Sequence, residues 1–238
     1  MEQLFVHAES FNQDLSNWDV SNVTKFNKMF KNAYAFNNGE NAGTYTTPLT
    51  WTLSTTSNIS LYTMFYNAFS FNQDITYWNT ENAKITNMHY MFIYDYDANG
   101  VETYGSFDQN LSNWNFSNLE GPEWETNGNP DNLDNIINFT RSNLSTINNT
   151  HLLQALVDSD VSGGYFVNWF ATYDVSGIAL QSTLQSRGWT LASNWEDRDV
   201  DGINRFYSFS EKDDLQAAVD LWITDETSAT SIYYDINT

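Results

Sequence analysis

SFNQDLSNW, Ser10 to Trp18, returns as SFNQDITYW at Ser70 to Trp78 and as SFDQNLSNW at Ser106 to Trp114. A degenerate copy, AFNN, starts at Ala35 and leads to Trp51. A second string precedes each later copy: KMFKNA ending at Ala33, TMFYNA ending at Ala68 and HYMF ending at Phe92. Phe11 and Phe36 stand 25 positions apart. Later copies are further apart because loops are inserted, roughly over residues 39–48 and 93–105. Without those loops a period of about 25 residues is restored, within the range of stacked repeat architectures.

The interior of each unit has its own logic. Leu15-x-x-Trp18-x-Val20 fits a Leu-x-x-Leu-x-Leu template with Trp in the middle slot. Leu111-x-x-Trp114-x-Phe116 fits too, and Ile75-x-x-Trp78-x-Thr80 fits less well. Period two there predicts a short strand with Trp18 and Val20 inward and Asn17, Asp19 and Ser21 outward. Phe26, Met29, Phe30 and Ala33 recur at helical spacing, so the stretch from Thr24 to Ala33 predicts a helix. One unit cannot bury its apolar face alone, but stacked neighbours can. The expected fold class is therefore an α/β repeat. It is a leucine-rich-repeat-like solenoid of short parallel strands and helices over residues 1–120, closed by a C-terminal α/β cap over 121–195. Trp18, Trp51, Trp78 and Trp114 are expected to form a ladder in its core.

The strings SFNQDLSNWDVSNVT and KMFKNAYAFN resemble surface-protein repeats of the BspA type, including the related family of unknown function first noted in mycoplasma lipoproteins. The resemblance covers residues 1 to about 118. It implies a leucine-rich-repeat-like solenoid, cell-surface or secreted placement (a virion surface included), and adhesion or host-interaction roles. The partners it implies are a protein or glycan on a host or neighbouring cell. The long inserts and degenerate second unit depart from the pattern and bear on how smooth the array is.

Beyond the repeats, GPEWETNGNP marks a loop, and Leu133, Ile136 and Ile137 point to a short helix. Further helices are expected over His151 to Val157 and over Ile178 to Arg187, the latter closed by Gly188, with a strand at Trp189 to Leu191. The run GIALQSTLQSRGWTL is similar to the closing segment that follows such arrays. Residues 196–205 read as an acidic linker. Residues 206–238 read as the start of a second array, with a capping pair at Ser210 and Asp213 and an apolar stripe of Leu215, Val219 and Trp222. Leu4 to Ala8 aligns with Met29 to Ala33, and Tyr234 to Thr238 with Gln73 to Tyr77. The chain thus reads as an excerpt, with more repeats of the same polypeptide as its neighbours. Met1 is followed by neither a basic n-region nor an apolar h-region.

Bulk composition narrows the chemistry. The chain has 238 residues, of which 41% are hydrophobic, with 9 Trp, 14 Tyr and 16 Phe, which is a folding composition. Its net charge of -21 repels phosphate backbones, so nucleic acid is not an expected partner. No apolar run is long enough to span a bilayer. With no cysteine there are no disulfides, thiolate nucleophiles or Cys-bound zinc. The three histidines, His7, His89 and His151, form no recognisable catalytic motif, and His89 is expected at the surface. The carboxylates Glu120, Glu123 and Glu125 around Trp124, with Asp158 and Asp160, are weak glycosidase candidates in so acidic a chain. No enzyme activity is expected.

Two loops carry alternating acids. Asp197, Asp199 and Asp201 precede Gly202, with Ile203 at the seventh position, where a backbone carbonyl serves in calcium loops; Asp95, Asp97 and Asn99 precede Gly100. Ser208 and Ser106 stand where a complete EF-hand has its bidentate Glu, so the calcium expectation is for a looser loop than an EF-hand. The favoured ligand surface is the outward strand face: Asn17, Asp19, Ser21; Thr50, Thr52, Ser54; Tyr77, Asn79, Glu81; and Asn113, Asn115, Ser117. Side by side, these form a polar, acidic sheet suited to binding polypeptides or sugars.

Overall fold

The apolar residues of KMFKNA are buried without a helix. In a computed structural model, Phe26, Met29, Phe30 and Ala33 are all 0% exposed, yet no α-helix covers Thr24 to Ala33. The chain instead runs through successive β-turns. Met29 N–H donates to the Phe26 carbonyl (2.9 Å), Ala33 N–H to Phe30 (3.0 Å) and Phe36 N–H to Ala33 (3.0 Å). The third residue of the first two turns is left-handed: Lys28 at φ 56° and Asn32 at φ 58°. The pattern recurs at Gln3 and His7, at Thr63 and Asn67, and at Tyr90. Turns three residues long return apolar side chains to one side at spacings of three and four, which is why the periodicity mimics a helix. The expected helix is thus replaced by a turn string.

Residues 1–192 are described, except 43, 45, 47, 77, 79–81, 96, 98, 102, 120–135 and 169–172. The acidic linker and expected second array lie outside them, as do the GPEWETNGNP loop and Leu133.

Alternate amides left unused by the turns bind the neighbouring unit. Gln3, Phe5 and His7 donate to Asn27, Met29 and Lys31 at 2.9–3.0 Å. Phe26, Lys28, Phe30 and Asn32 donate to Ser60, Tyr62, Met64 and Tyr66 at 2.8–2.9 Å. Leu61, Thr63, Phe65 and Asn67 donate to Asn87, His89, Met91 and Ile93 at 2.7–3.0 Å. Regular pairing just upstream makes two parallel strands, β1 (Asn58–Ser60) and β2 (Lys84–Asn87), with Ile59 opposite Ile85; Lys25 bridges to Ser60. The strand expected over Leu15 to Val20 does not form. There Trp18 N–H turns back to Leu15 C=O (3.0 Å), and the Asp14 and Asp19 carboxylates accept the amides two residues on, drawing the backbone into tight turns.

Side chains stack in columns along these rungs. Phe5, Phe30, Phe65, Phe92 and Phe139 follow one another at ring-centroid distances of 5.4, 5.5, 5.6 and 5.1 Å. Phe11, Phe36, Phe71 and Phe107 form a second column at 5.9, 5.9 and 6.0 Å. Trp51, Trp78 and Trp114 form a third at 5.9 and 6.0 Å. Trp18 stands apart from the expected Trp ladder: it is only half-buried and packs against Phe5 at 6.0 Å. Each such pair adds about 0.5–1.5 kcal/mol to the area it buries.

The remaining described chain forms β3 (Ile136–Asn138), α1 (Thr146–Asp158), β4 (Gly164–Val167), α2 (Val175–Ser186) and β5 (Trp189–Ala192). The three strands pair in parallel in the order β3-β4-β5, and α1 packs on α2. Ile136 and Ile137, read from sequence as helical, belong to β3, because their amides pair with the β4 backbone. The two longer helices and the strand at Trp189 to Leu191 match their sequence signals, and Gly188 is left-handed at φ 85° just past α2. The Asp174 carboxylate caps α2 through the Gly177 amide (2.8 Å) and accepts the Thr150 hydroxyl of α1 (3.0 Å), locking the two helices together. This part joins the rungs at Phe139 and at Thr140, whose carbonyl accepts the Tyr94 amide (3.2 Å).

Candidate binding surface

The outward residues of the Trp segments divide by exposure. Asn17, Asp19, Thr50, Thr52, Asn113 and Ser117 are exposed, while Ser21 and Asn115 are half-buried. Ser54, expected outward, is buried at 5%, because Leu53 and Ser54 face inward in succession where the short strand was expected. Tyr77, Asn79 and Glu81 lie outside the described residues. Several of these side chains are already engaged within the fold. Asp19 Oδ1 takes the Ser21 hydroxyl (2.6 Å) and amide (3.0 Å), which hold its carboxyl below the usual carboxylate range. Asn115 Oδ1 takes the Ser117 amide at 2.8 Å.

Beneath this surface the indoles are fixed. Trp51 Nε1 donates to Leu15 C=O (2.9 Å) and Trp78 Nε1 to Leu49 C=O (2.8 Å), with the rings 1% and 2% exposed. They hold the outward residues in register and offer no face for sugar stacking.

Sequence reading missed the polar counterpart of the aromatic columns. Asn12 Oδ1 accepts the Asn37 amide (2.8 Å), Asn37 Oδ1 accepts the Asn72 amide (2.9 Å), and Asn72 Oδ1 accepts the Asp108 amide (2.8 Å). Gln73 and Gln109 add side-chain amides to the same Asn37 and Asn72 oxygens at 3.1 and 2.8 Å. The recurrence of Asn directly after Phe11, Phe36 and Phe71, with Gln next in the first and third of these, was the signal. At the last step the copy reads Asp-Gln. Asp108 Oδ1 accepts the Ser145 amide and hydroxyl and the Asn148 amide, each at 2.8 Å, at the start of α1.

Asp95 and Asp97 face different tasks. Asp95 Oδ2 accepts the Tyr66 hydroxyl and Oδ1 lies 3.6 Å from the Arg141 guanidinium, while its amide donates to Asn67 Oδ1. Asp97 Oδ1 accepts the Asn99 and Val101 amides (2.8 and 2.9 Å), and these backbone bonds lower its carboxyl pKa. Asp197, Asp199, Asp201 and Ile203 lie outside the described residues, as do Glu120, Glu123, Trp124 and Glu125. No group of three or more His, Asp or Glu side chains placed to hold a metal occurs among the described residues. No helix there is long and apolar enough to cross a membrane.

The histidines do not converge. His7 is exposed beside Asn32 (3.2 Å), and His151 is half-buried on α1. His89, expected at the surface, is 2% exposed against Tyr62 and Tyr90, since its turn tucks the ring between rungs; burial lowers its pKa to about 4. Of the acids near α1, Asp158 accepts Gln154 (2.7 Å) and Asp160 lies 3.5 Å from Arg187.

No curated relative and no solved structure matches the chain. The family model described as Mycoplasma protein of unknown function, DUF285, matches residues 1–47 and again 44–124. Two successive matches, covering all the rungs up to Leu119 and more than half of the 238 residues, place this chain in that mycoplasma-type repeat family of unknown function.

Proposed function

We propose that this chain is a non-catalytic recognition module of a cell-surface or secreted protein. In this reading it is a leucine-rich-repeat-like solenoid that binds a protein or glycan through the outward residues of its Trp segments, with residues 121–195 as its cap. One observation carries the reading: exposed Thr50 and Thr52 flank the buried, hydrogen-bonded Trp51 indole, exposed Asn113 adjoins Trp114 of the same stacked column, and Asn17 is exposed at the equivalent place of the first unit. A periodic array of short polar side chains on a rigid support can make many hydrogen bonds with little entropy lost on binding. The BspA-type resemblance of the repeats supports surface placement and adhesion.

The test is a protein and glycan array probed with the chain, followed by Asn17→Ala with Asn113→Ala on any hit. Binding that weakens about tenfold or more while the fold is unchanged supports the reading. An array with no ligand at micromolar concentration, or a ligand indifferent to both substitutions, overturns it.

A further inference from the structure

The described cations are sorted in an unexpected way. Both described arginines pair with carboxylates, Arg141 with Asp95 and Arg187 with Asp160. Lys25, Lys28, Lys31 and Lys84 make no ion pair among the described residues, although the chain carries 30 Asp and Glu. Lys28 Nζ instead lies over the Tyr62 ring at 5.6 Å and Lys31 Nζ over the Tyr66 ring at 4.7 Å. A ring face steadies an ammonium group without neutralising it.

The four lysines also share a location. Lys25, Lys28 and Lys31 follow one another along a single rung, and Tyr62 and Tyr66 occupy the next. Lys84 sits one rung further, opposite Asn58, on the outer side of strands whose Ile59 and Ile85 point inward. Lys25 and Lys84 are exposed, and Lys28, Lys31, Tyr62 and Tyr66 are half-buried. Of the described acids that touch this strip, Glu2 accepts the Asn27 side chain, and Asp95 accepts the Tyr66 hydroxyl and pairs with Arg141.

We propose that this lysine–tyrosine strip is a second docking surface, distinct from the Trp-segment residues, for an anionic polysaccharide of the uronic-acid class. The occupant follows from charge. A net charge of -21 repels any polyanion at long range, and most strongly one as dense as duplex nucleic acid, with a charge per ~1.7 Å. A glycan with sparse carboxylates suffers less repulsion and still meets three or four unneutralised ammonium groups at contact. Its flat C–H faces suit the neighbouring phenol rings. Screening decides the balance, because the Debye length is about 8 Å at physiological salt. Salt first removes the long-range repulsion and only at higher strength the short contacts. Affinity therefore passes through a maximum with ionic strength, unlike the steady fall seen for a basic protein.

The experiment measures binding of the whole chain to immobilised hyaluronan oligosaccharides across a salt series. Neutral dextran oligosaccharides, phosphatidylserine vesicles and poly-glutamate serve as competing probes. Expected are a maximum at intermediate salt, a loss of about tenfold or more in the Lys25→Gln/Lys28→Gln/Lys31→Gln variant, and retention in the corresponding Lys→Arg variant. If the triple variant loses its near-ultraviolet dichroism, the exposed-site variants Lys25→Glu and Lys84→Glu carry the same test. No hyaluronan binding, binding unchanged by the Lys→Gln or Lys→Glu substitutions, or tighter binding to vesicles or poly-glutamate overturns the proposal.

Discussion

Asn37 Oδ1 accepts the backbone amide of Asn72, 35 residues away, at 2.9 Å in a site where Asn37 is 0% exposed. The same oxygen accepts the Gln73 side chain, and the Asn37 side-chain nitrogen donates to the Asn41 and Thr44 carbonyls. Each buried group left unsatisfied costs about 1–3 kcal/mol. Asn37→Leu fits the volume but strands the Asn72 amide, while the Asn41 and Thr44 carbonyls keep the Thr44 and Gln73 donors. It is expected to destabilise the chain by about 2–3 kcal/mol, read as a lower urea midpoint with an unchanged slope.

Asp108 ends this asparagine column, and its charge suits the end. It receives three donors at the start of α1, one of them the Ser145 amide at the helix N-cap, where negative charge is favoured. Asp108→Asn keeps an acceptor oxygen but loses the charge, so it is expected to cost about 1 kcal/mol. Asn72→Asp places a carboxylate inside the column, where it is 6% exposed, and is expected to cost more, about 3 kcal/mol. Equal effects in chemical denaturation would contradict this asymmetry.

Acid stability tests His89. Burial lowers its pKa from the ordinary 6.5 to about 4, so the folded chain holds the neutral ring while the unfolded chain binds a proton more readily. The stabilisation is complete above pH 6.5 and is lost as pH falls toward 4, by up to about 3 kcal/mol. His89→Phe fills a similar aromatic space and removes the titration. Its melting temperature is expected to fall less steeply over that window than the parent's. Parallel pH profiles would refute the assignment.

The residues explain what the sequence disclosed and what it hid. The Phe and Trp recurrences announced the repeats because stacking demands the same large ring at the same position on every rung, as at Phe30, Phe65 and Phe92. The turn string stayed hidden because Lys28, Thr63 and Tyr90 adopt left-handed backbone without glycine to advertise it. Helical spacing then became the default reading of Phe26, Met29, Phe30 and Ala33. Asp19 read as an outward ligand by alternation, whereas its carboxylate closes its own turn onto Ser21. The asparagine column escaped because its partners lie 25 to 36 residues apart and sit on backbone amides, which no side-chain pattern reveals.

Gly105 marks a place where the inserted loop returns to the core. A Cβ there would sit 2.2–2.5 Å from the buried Tyr94 ring, which itself packs against Phe69 at 5.9 Å. The ring is 0% exposed, so it cannot turn aside into solvent. Gly105→Ala is expected to destabilise by about 3 kcal/mol, at the upper end for overpacking. Gly105→Ala with Tyr94→Leu should recover part of that loss in thermal unfolding, and no recovery would argue against the clash as its cause.

The tryptophan column predicts a gradient along the chain. Trp78 is held between Trp51 and Trp114 at 5.9 and 6.0 Å, is 2% exposed and donates to Leu49 C=O. Trp18 is half-buried, with Phe5 on one side. Trp78→Ala opens a cavity, breaks two stacking contacts and strands a carbonyl, so it is expected to cost about 4–5 kcal/mol. Trp18→Ala forfeits only partial burial and is expected to cost about 2 kcal/mol. If the Trp-segment surface binds as proposed, conservative Trp78→Phe should weaken binding by loosening the outward residues even under conditions where the fold persists. The check is denaturation of both Ala variants beside array binding of the Phe variant. A Trp18→Ala cost equal to that of Trp78→Ala would mean that burial in the column does not set the energetics.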